Sequence, residues 1–134
     1  MEMGSVDIPN DVAAAFQAMP EEARAVLLGT RARVFHLAEA AEVGALTETL
    51  KWGEPAYLTE ASKAGSTIRL GVSNGRPAVF FNCQTTLVEG FRTSCADAFE
   101  YVGNRALVLS EASDPAALDM CLTRALTYHR DKTR

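Results

Sequence analysis

The residues that could do chemistry gather in three places. Lys51-Trp52-Gly53-Glu54-Pro55-Ala56-Tyr57 sets two aromatic rings and a carboxylate within seven positions. Trp52 has two readings there. It anchors a core while Gly53 and Pro55 turn the chain into a sheet, or it walls a pocket in which Glu54 and Tyr57 supply polar contacts, as small-molecule sites require. Arg69, Arg92 and Arg105, with Asn104 beside the last, form the second group. Two converging guanidinium groups grip a carboxylate or phosphate in bidentate fashion. The alternative is a network of Arg–Glu pairs on an open sheet face, with Glu54 or Glu100 as partner. The third group is Cys83, Cys95, Cys121, His36 and His129. A catalytic thiol needs a base within hydrogen-bond reach. Cys83 meets His129 if the last helix packs on its strand, and is otherwise a buried, inert cysteine.

Elements of known period must position these groups. Asp11 to Met19 reads as a short helix with Asn10 or Asp11 as N-cap. Pro20 ends it and opens a long helix on which Ala23, Leu27, Thr30, Val34, Leu37 and Ala41 share one face. Arg24, Arg31 and Glu39 fall on or near its wet side. Gly44 breaks this helix, and a short helical piece resumes from Ala45 to Leu50. Ala56 to Thr59 is extended. Thr67 to Val72 alternates as a strand, Asn74-Gly75 is a hairpin signal, and Ala78 to Cys83 is the returning strand, with Pro77 at its start. Thr85 to Thr93 is a short helix or turn. Phe99 to Val102 and Arg105 to Leu109 are two further strands about Gly103-Asn104. Asp114 and Pro115 open a last helix that runs to about Lys132, with Leu118, Cys121, Leu122, Ala125 and Tyr128 as its apolar stripe.

This order predicts an α+β fold: N-terminal helices, an antiparallel meander of four to five strands, and a C-terminal helix packed on one sheet face. Residues 1–8 read as a loose tail and 9–134 as one domain, the size that 134 residues supports. On strand alternation, Arg105 shares a face with Leu107 and Leu109, so it must pair with Glu54 or Glu100 or line an anion-accepting pocket.

Composition narrows the function. Thirteen basic against 17 acidic residues give a net charge of −4, which argues against a nucleic-acid partner. No run of 18 apolar residues exists, so no membrane helix is expected. Met1 to Asn10 has neither the basic nor the apolar region of a signal peptide, and the three cysteines lack CxxC spacing, so they read as reduced cytoplasmic thiols. GxGxxG, P-loop, HExxH and GxSxG motifs are missing, which removes the common enzymes that carry them.

The Lys51–Tyr57 run, following a helix and opening an antiparallel sheet, resembles the YdhG-like family of small bacterial proteins. Ser66-Thr67-Ile68-Arg69-Leu70-Gly71 is similar to that family's second strand. Phe91-Arg92 and Gly103-Asn104-Arg105-Ala106 resemble a later stretch, and Ala125-Leu126-Thr127-Tyr128-His129 resembles its last helix. The resemblance covers about residues 35–132. It implies a domain with no established catalytic residues, one branch of which is described as a frataxin-like iron chaperone. Iron is thus an implied ligand. Helix-borne carboxylates would hold it, with Glu39 and Glu42 as the candidates here, although acidic Glu21, Glu22, Glu39 and Glu42 are interleaved with Arg24, Arg31 and Arg33. The expected function is a non-enzymatic binding domain. The alternatives are a pocket for an anionic small molecule built from Trp52, Glu54, Tyr57, Arg69, Arg92, Asn104 and Arg105, or a homodimerising interaction module.

Overall fold

A computed structural model describes residues 7–132. Of the expected tail, residues 1–6 lie outside the described residues. The elements follow in the order α1 (Asn10–Gln17), α2 (Glu21–Ala40), β1 (Thr47–Lys51), β2 (Glu54–Leu58), β3 (Ile68–Ser73), β4 (Arg76–Phe81), α3 (Leu87–Ser94), β5 (Glu100–Val102), β6 (Ala106–Val108), α4 (Pro115–Leu126) and α5 (Tyr128–Lys132). The strands form one antiparallel sheet in the order β1-β2-β3-β4-β6-β5. Helices pack on one of its faces, so the molecule is α+β as the periodicities require.

Register separates the two faces. Tyr57, Ile68, Leu70, Val79, Phe81 and Leu107 stand in register on the helix side and belong to the core, with half-buried Leu50 packed against them. They meet Val12 and Phe16 of α1, Leu27 and Val34 of α2, Phe91 of α3, and Leu122 and Leu126 of α4. The opposite face carries smaller residues, Ala56, Gly71, Ala78 and Ala106, from four neighbouring strands.

The sixth strand is the one that the local sequence hides. Residues 45–50 read as helical, but Thr47–Lys51 is the edge strand β1. Its β-branched Thr47 and Thr49 alternate with Glu48 and Leu50, which suits a pleated strand. Trp52 and Gly53 form its two-residue turn, with φ of 56° and 75°. Positive φ at both central positions is the twist that a hairpin needs. Asn-Gly advertises such a turn, as at Asn74-Gly75, whereas Trp-Gly does not.

Arg31 corrects a second expectation. It lies on the buried side of α2, only 5% exposed, rather than on its wet side. Its Nε donates to Glu48 Oε2 at 2.6 Å and its Nη2 to Glu48 Oε1 at 2.8 Å. The Tyr57 hydroxyl donates to Glu48 Oε2 at 2.8 Å, and the Phe35 ring lies 4.9 Å from the guanidinium carbon. Arg31 Nη2 also donates to the Asp7 carbonyl at 3.2 Å, which ties the start of the described chain to the same cluster. The hydrogen bonds to Glu48 push the Arg31 pKa further up, while burial pushes the Tyr57 hydroxyl well above its ordinary value.

The last helix is broken where a single run to Lys132 was expected. The loop before β3 lies against its end: the Ser66 amide donates to the Ala125 carbonyl at 2.8 Å, and the His129 and Arg130 amides donate to the Ala64 carbonyl at 2.8 and 2.9 Å. Competing partners for helix groups end one helix and start another. Gly65 is needed at this approach, because a Cβ there would collide with the Leu126 carbonyl.

Two ion pairs of like chemistry should therefore behave differently. Glu48→Ala leaves Arg31 buried without its counter-charge and should cost about 3–5 kcal/mol in a urea melt. Arg33→Ala removes a pair with Asp119 in which the arginine is 44% exposed, and should cost less than about 1 kcal/mol. Equal losses for the two variants would refute the clamp at Glu48.

Candidate functional site

The expected pocket residues do not converge. Trp52 is 88% exposed at the tip of the β1–β2 turn, so it is no core anchor. Its position in the two-residue turn, between Lys51 and Glu54, puts it at the end of the hairpin. Tyr57 is fully buried, its hydroxyl spent on Glu48. Glu54 and Arg69 pair with each other on the open sheet face, across the strands β2 and β3. The guanidinium carbon of Arg69 stands 5.2 Å from the Phe80 ring centroid. Glu54 and Phe80 roof Gly71, where a Cβ would force the flexible Glu54 carboxylate aside and sit tight against the Phe80 ring. Desolvation raises the Glu54 pKa, and the Arg69 charge opposes that shift.

Arg92 and Asn104 do come together. Arg92 Nη1 donates to Asn104 Oδ1 at 3.2 Å and Nη2 to the Gly103 carbonyl at 2.5 Å, with the Tyr101 ring 5.6 Å from the guanidinium carbon. These bonds fasten α3 to the β5–β6 turn. Arg105 takes no part. It belongs to that turn rather than to β6, so strand alternation does not govern it, and its side chain is exposed. Neither expected acid pairs with it: Glu54 holds Arg69, and Glu100 accepts from Arg76 at 2.8 Å.

The remaining candidates also separate. Cys83 is exposed just past β4 rather than buried. His129 is exposed on α5, its ring centroid 5.1 Å from that of Tyr128, and no hydrogen bond joins it to Cys83 among the described residues. Cys95 and Cys121 are buried where α3 meets α4. Burial, reinforced by the neighbouring Cys95, pushes the Cys121 thiol up to about 12. Burial likewise pushes the Tyr101 hydroxyl up to about 12. Glu39 and Glu42 are exposed at and beyond the end of α2. Among the described residues no group of three or more His, Cys, Asp or Glu side chains is placed to hold a metal ion.

A cleft of about 340 Å³ lies elsewhere, between α3, α4 and α5. Leu87, Gly90 and Phe91 line it from one face of α3, at helical spacing. Arg124, Tyr128 and Asp131 line it from α4 and α5, at spacings of four and three. Thr86 closes one end, its amide donating to the Tyr128 hydroxyl at 3.4 Å. Asp131 Oδ2 accepts from the Thr127 hydroxyl at 2.9 Å. Arg124 Nη1 donates to the Ser94 hydroxyl at 3.3 Å, and no carboxylate pairs with it among the described residues. Gly90 stands inside α3, and a Cβ there would meet nothing within 4 Å. Of these positions the sequence pattern marks only Tyr128, as part of an apolar stripe, although the 87/90/91 and 124/128/131 spacings are visible.

The architecture is thus a two-layer α+β domain with a side cleft lined by helices. No family model, curated protein or solved structure matches the chain. Among the described residues no helix is long and apolar enough to cross a membrane.

Two outcomes follow from this placement. Trp52→Asn puts a residue that tolerates left-handed backbone into the turn, and should stabilise dilute protein by up to about 1 kcal/mol; a loss of more than about 1 kcal/mol would return Trp52 to the core. Unfolded cysteine and tyrosine ionise near 9.0 and 10.0, whereas folded Cys121 and Tyr101 stay protonated to about 12. The folded state binds more protons in between, so stability is complete below pH 9 and falls from there to pH 12. Urea midpoints that stay level across that range, or rise, would contradict this.

Proposed function

We infer that the chain is a non-enzymatic binding domain whose ligand is a small molecule with an apolar body and an anionic head, seated between α3, α4 and α5. The observation that carries the reading is Gly90. Glycine inside a helix costs roughly 1 kcal/mol relative to alanine. Steric need explains Gly65, and Gly29 inside α2 also has open space around it, but Gly90 both has open space and lines the cleft. Its missing side chain leaves the volume between Leu87 and Phe91 empty, at the expense of helix stability. A cleft near 300 Å³ with an apolar floor and a few polar groups is what a small ligand requires. Arg124 supplies the charge: Arg31, Arg33, Arg69 and Arg76 each face an acid, while Arg124, on the cleft wall, has no acid partner among the described residues and donates to the Ser94 hydroxyl outside the cleft lining. A carboxylate or phosphate is the natural partner of such a guanidinium.

The YdhG-like assignment belongs to this proposal and rests on the Lys51–Tyr57 segment and the order of the segments after it. A cytoplasmic setting, in which the three thiols stay reduced, belongs to it as well. The iron reading receives no support from the placement of Glu39 and Glu42.

Thermal shift with octanoate and phenylacetate, each against its uncharged amide, tests the proposal. Binding to the native state raises the midpoint by mass action, so the carboxylates should raise it more than the amides. Gly90→Leu fills the cleft and Arg124→Gln removes the charge; both should abolish the shift while leaving the circular dichroism unchanged. No shift with either acid, or a shift that survives both variants, would overturn the reading.

A further inference from the structure

We propose that β1 is a docking edge for a second copy of this chain, paired antiparallel about Thr49, with the Trp52 turn covering the partner strand's start.

The open edge is visible in the register. Lys51 pairs with Glu54 across a two-residue turn, and Thr49 with Ala56, Thr47 with Leu58. In such a hairpin the residues flanking the turn exchange both backbone hydrogen bonds, and every second pair does the same. The amides and carbonyls of Thr47, Thr49 and Lys51 are therefore spent on β2, and those of Glu48 and Leu50 point away from it. Glu48 is half-buried as a residue although its side chain is only 6% exposed, so its exposed surface is chiefly main chain. Among the described residues β1 is the last strand of the sheet on this side. Unpaired strand edges are templates for another strand.

The same register selects the partner. Within the strand, pairing about Thr49 sets Glu48 opposite Leu50 of the second copy and Leu50 opposite its Glu48. All outward groups are then used, in four hydrogen bonds. A shift by two residues in either direction leaves only one such pair inside the strands. Centred pairing also sets Lys51 opposite Thr47 of the second copy, whose hydroxyl donates to Glu60 at 3.0 Å in its own chain. Each Lys51 ammonium thereby comes beside a Glu60 carboxylate, twice by symmetry. Opposite charges at cross-strand positions favour pairing, and a two-fold interface places one patch against itself. The inward charge that often guards an edge is Glu48, but Arg31 and Tyr57 of its own chain hold it.

Trp52 completes the argument. It is the one exposed large hydrophobic side chain among the described residues, and it sits in a left-handed conformation that favours glycine or asparagine. In the centred register its turn lies across from Leu46 of the second copy, a half-buried residue immediately before β1. Aromatic residues of this kind dominate the energetics of interfaces.

Sedimentation and fluorescence of the full chain test the proposal, since Trp52 is its single tryptophan. A concentration series from low to high micromolar should show monomer passing to dimer, with Trp52 emission moving to the blue in step. Lys51→Glu should weaken the dimer by about ten-fold or more, and adding Glu60→Lys should restore it. Both positions are exposed, and circular dichroism checks that both variants fold. A monomer at every concentration overturns the proposal. So does a dimer whose tryptophan emission stays that of an exposed indole, or one that Lys51→Glu leaves intact, because association would then use another surface.

Discussion

The buried pair between Arg31 and Glu48 joins parts of the molecule that nothing else in their sequence would bring together. Arg31 comes from the middle of the longest helix and Glu48 from the edge strand of the sheet. Two charges removed from water carry a large desolvation penalty, which only close geometry and further hydrogen bonds offset. Both are present: a bidentate contact, and the Tyr57 hydroxyl on the same carboxylate. Because Tyr57 lies on β2, the cluster fixes α2 against two strands at once. The ring of Phe35 closes it, 5.7 Å from Tyr57 and edge to face. An edge strand of five residues is marginal alone; here it is held by its inward charge as well as by its ladder.

Once that corner is set, the two faces of the sheet take different roles. The helix side is filled by aliphatic and aromatic side chains. The other side uses small residues under a lid of longer ones, with Glu54, Arg69 and Phe80 lying over Gly71. Of the two readings of Arg69, the structure takes the pair with Glu54 rather than the grip on an anion, and that pair lies over backbone. The same holds at the far end of the sheet, where Arg92 is consumed by the Gly103 carbonyl and Asn104. Arginines that look available in a sequence are mostly used in holding elements to one another.

The cleft depends on the break in the final helix. A single helix from Pro115 to Lys132 would continue past α3 in one direction. The loop around Gly65 instead donates to the Ala125 carbonyl before Thr127 and accepts from the His129 and Arg130 amides after it, so the chain restarts at Tyr128. Tyr128 and Asp131 then stand beside Arg124 and opposite Leu87 and Phe91. Fold and candidate site are linked through this one loop, which approaches the helix closely because residue 65 has no side chain.

Local chemistry determined much of this protein. The Asn74-Gly75 hairpin, the Asp114-Pro115 helix start and the α+β class follow from periods and caps that act over a few residues. The N-terminal helices follow from their period alone: Asn10 and Asp11 lie inside α1 rather than capping it, Pro9 and Pro20 hold the N-cap positions, and neither helix has a side-chain cap bond. Asp114 does accept from the Ala116 amide at 3.1 Å. What the tertiary structure alone decided is where polar residues go. Arg31 has no local reason to be buried; its partner is 17 positions away and on a different element. Thr47–Lys51 is a strand because β2 and α2 offer it partners, although its local sequence reads as helix. Trp52 is exposed because its turn, and not its hydrophobicity, fixes its place. Among the described residues Arg105 has no ion-pair partner, because one residue of turn takes it out of strand alternation. The cleft arises from two helix stripes that only a distant loop brings face to face. Periodicity reports which side of an element is buried, since that depends on near neighbours along the chain. It says nothing about which charge meets which, since that depends on contacts the folded chain alone creates.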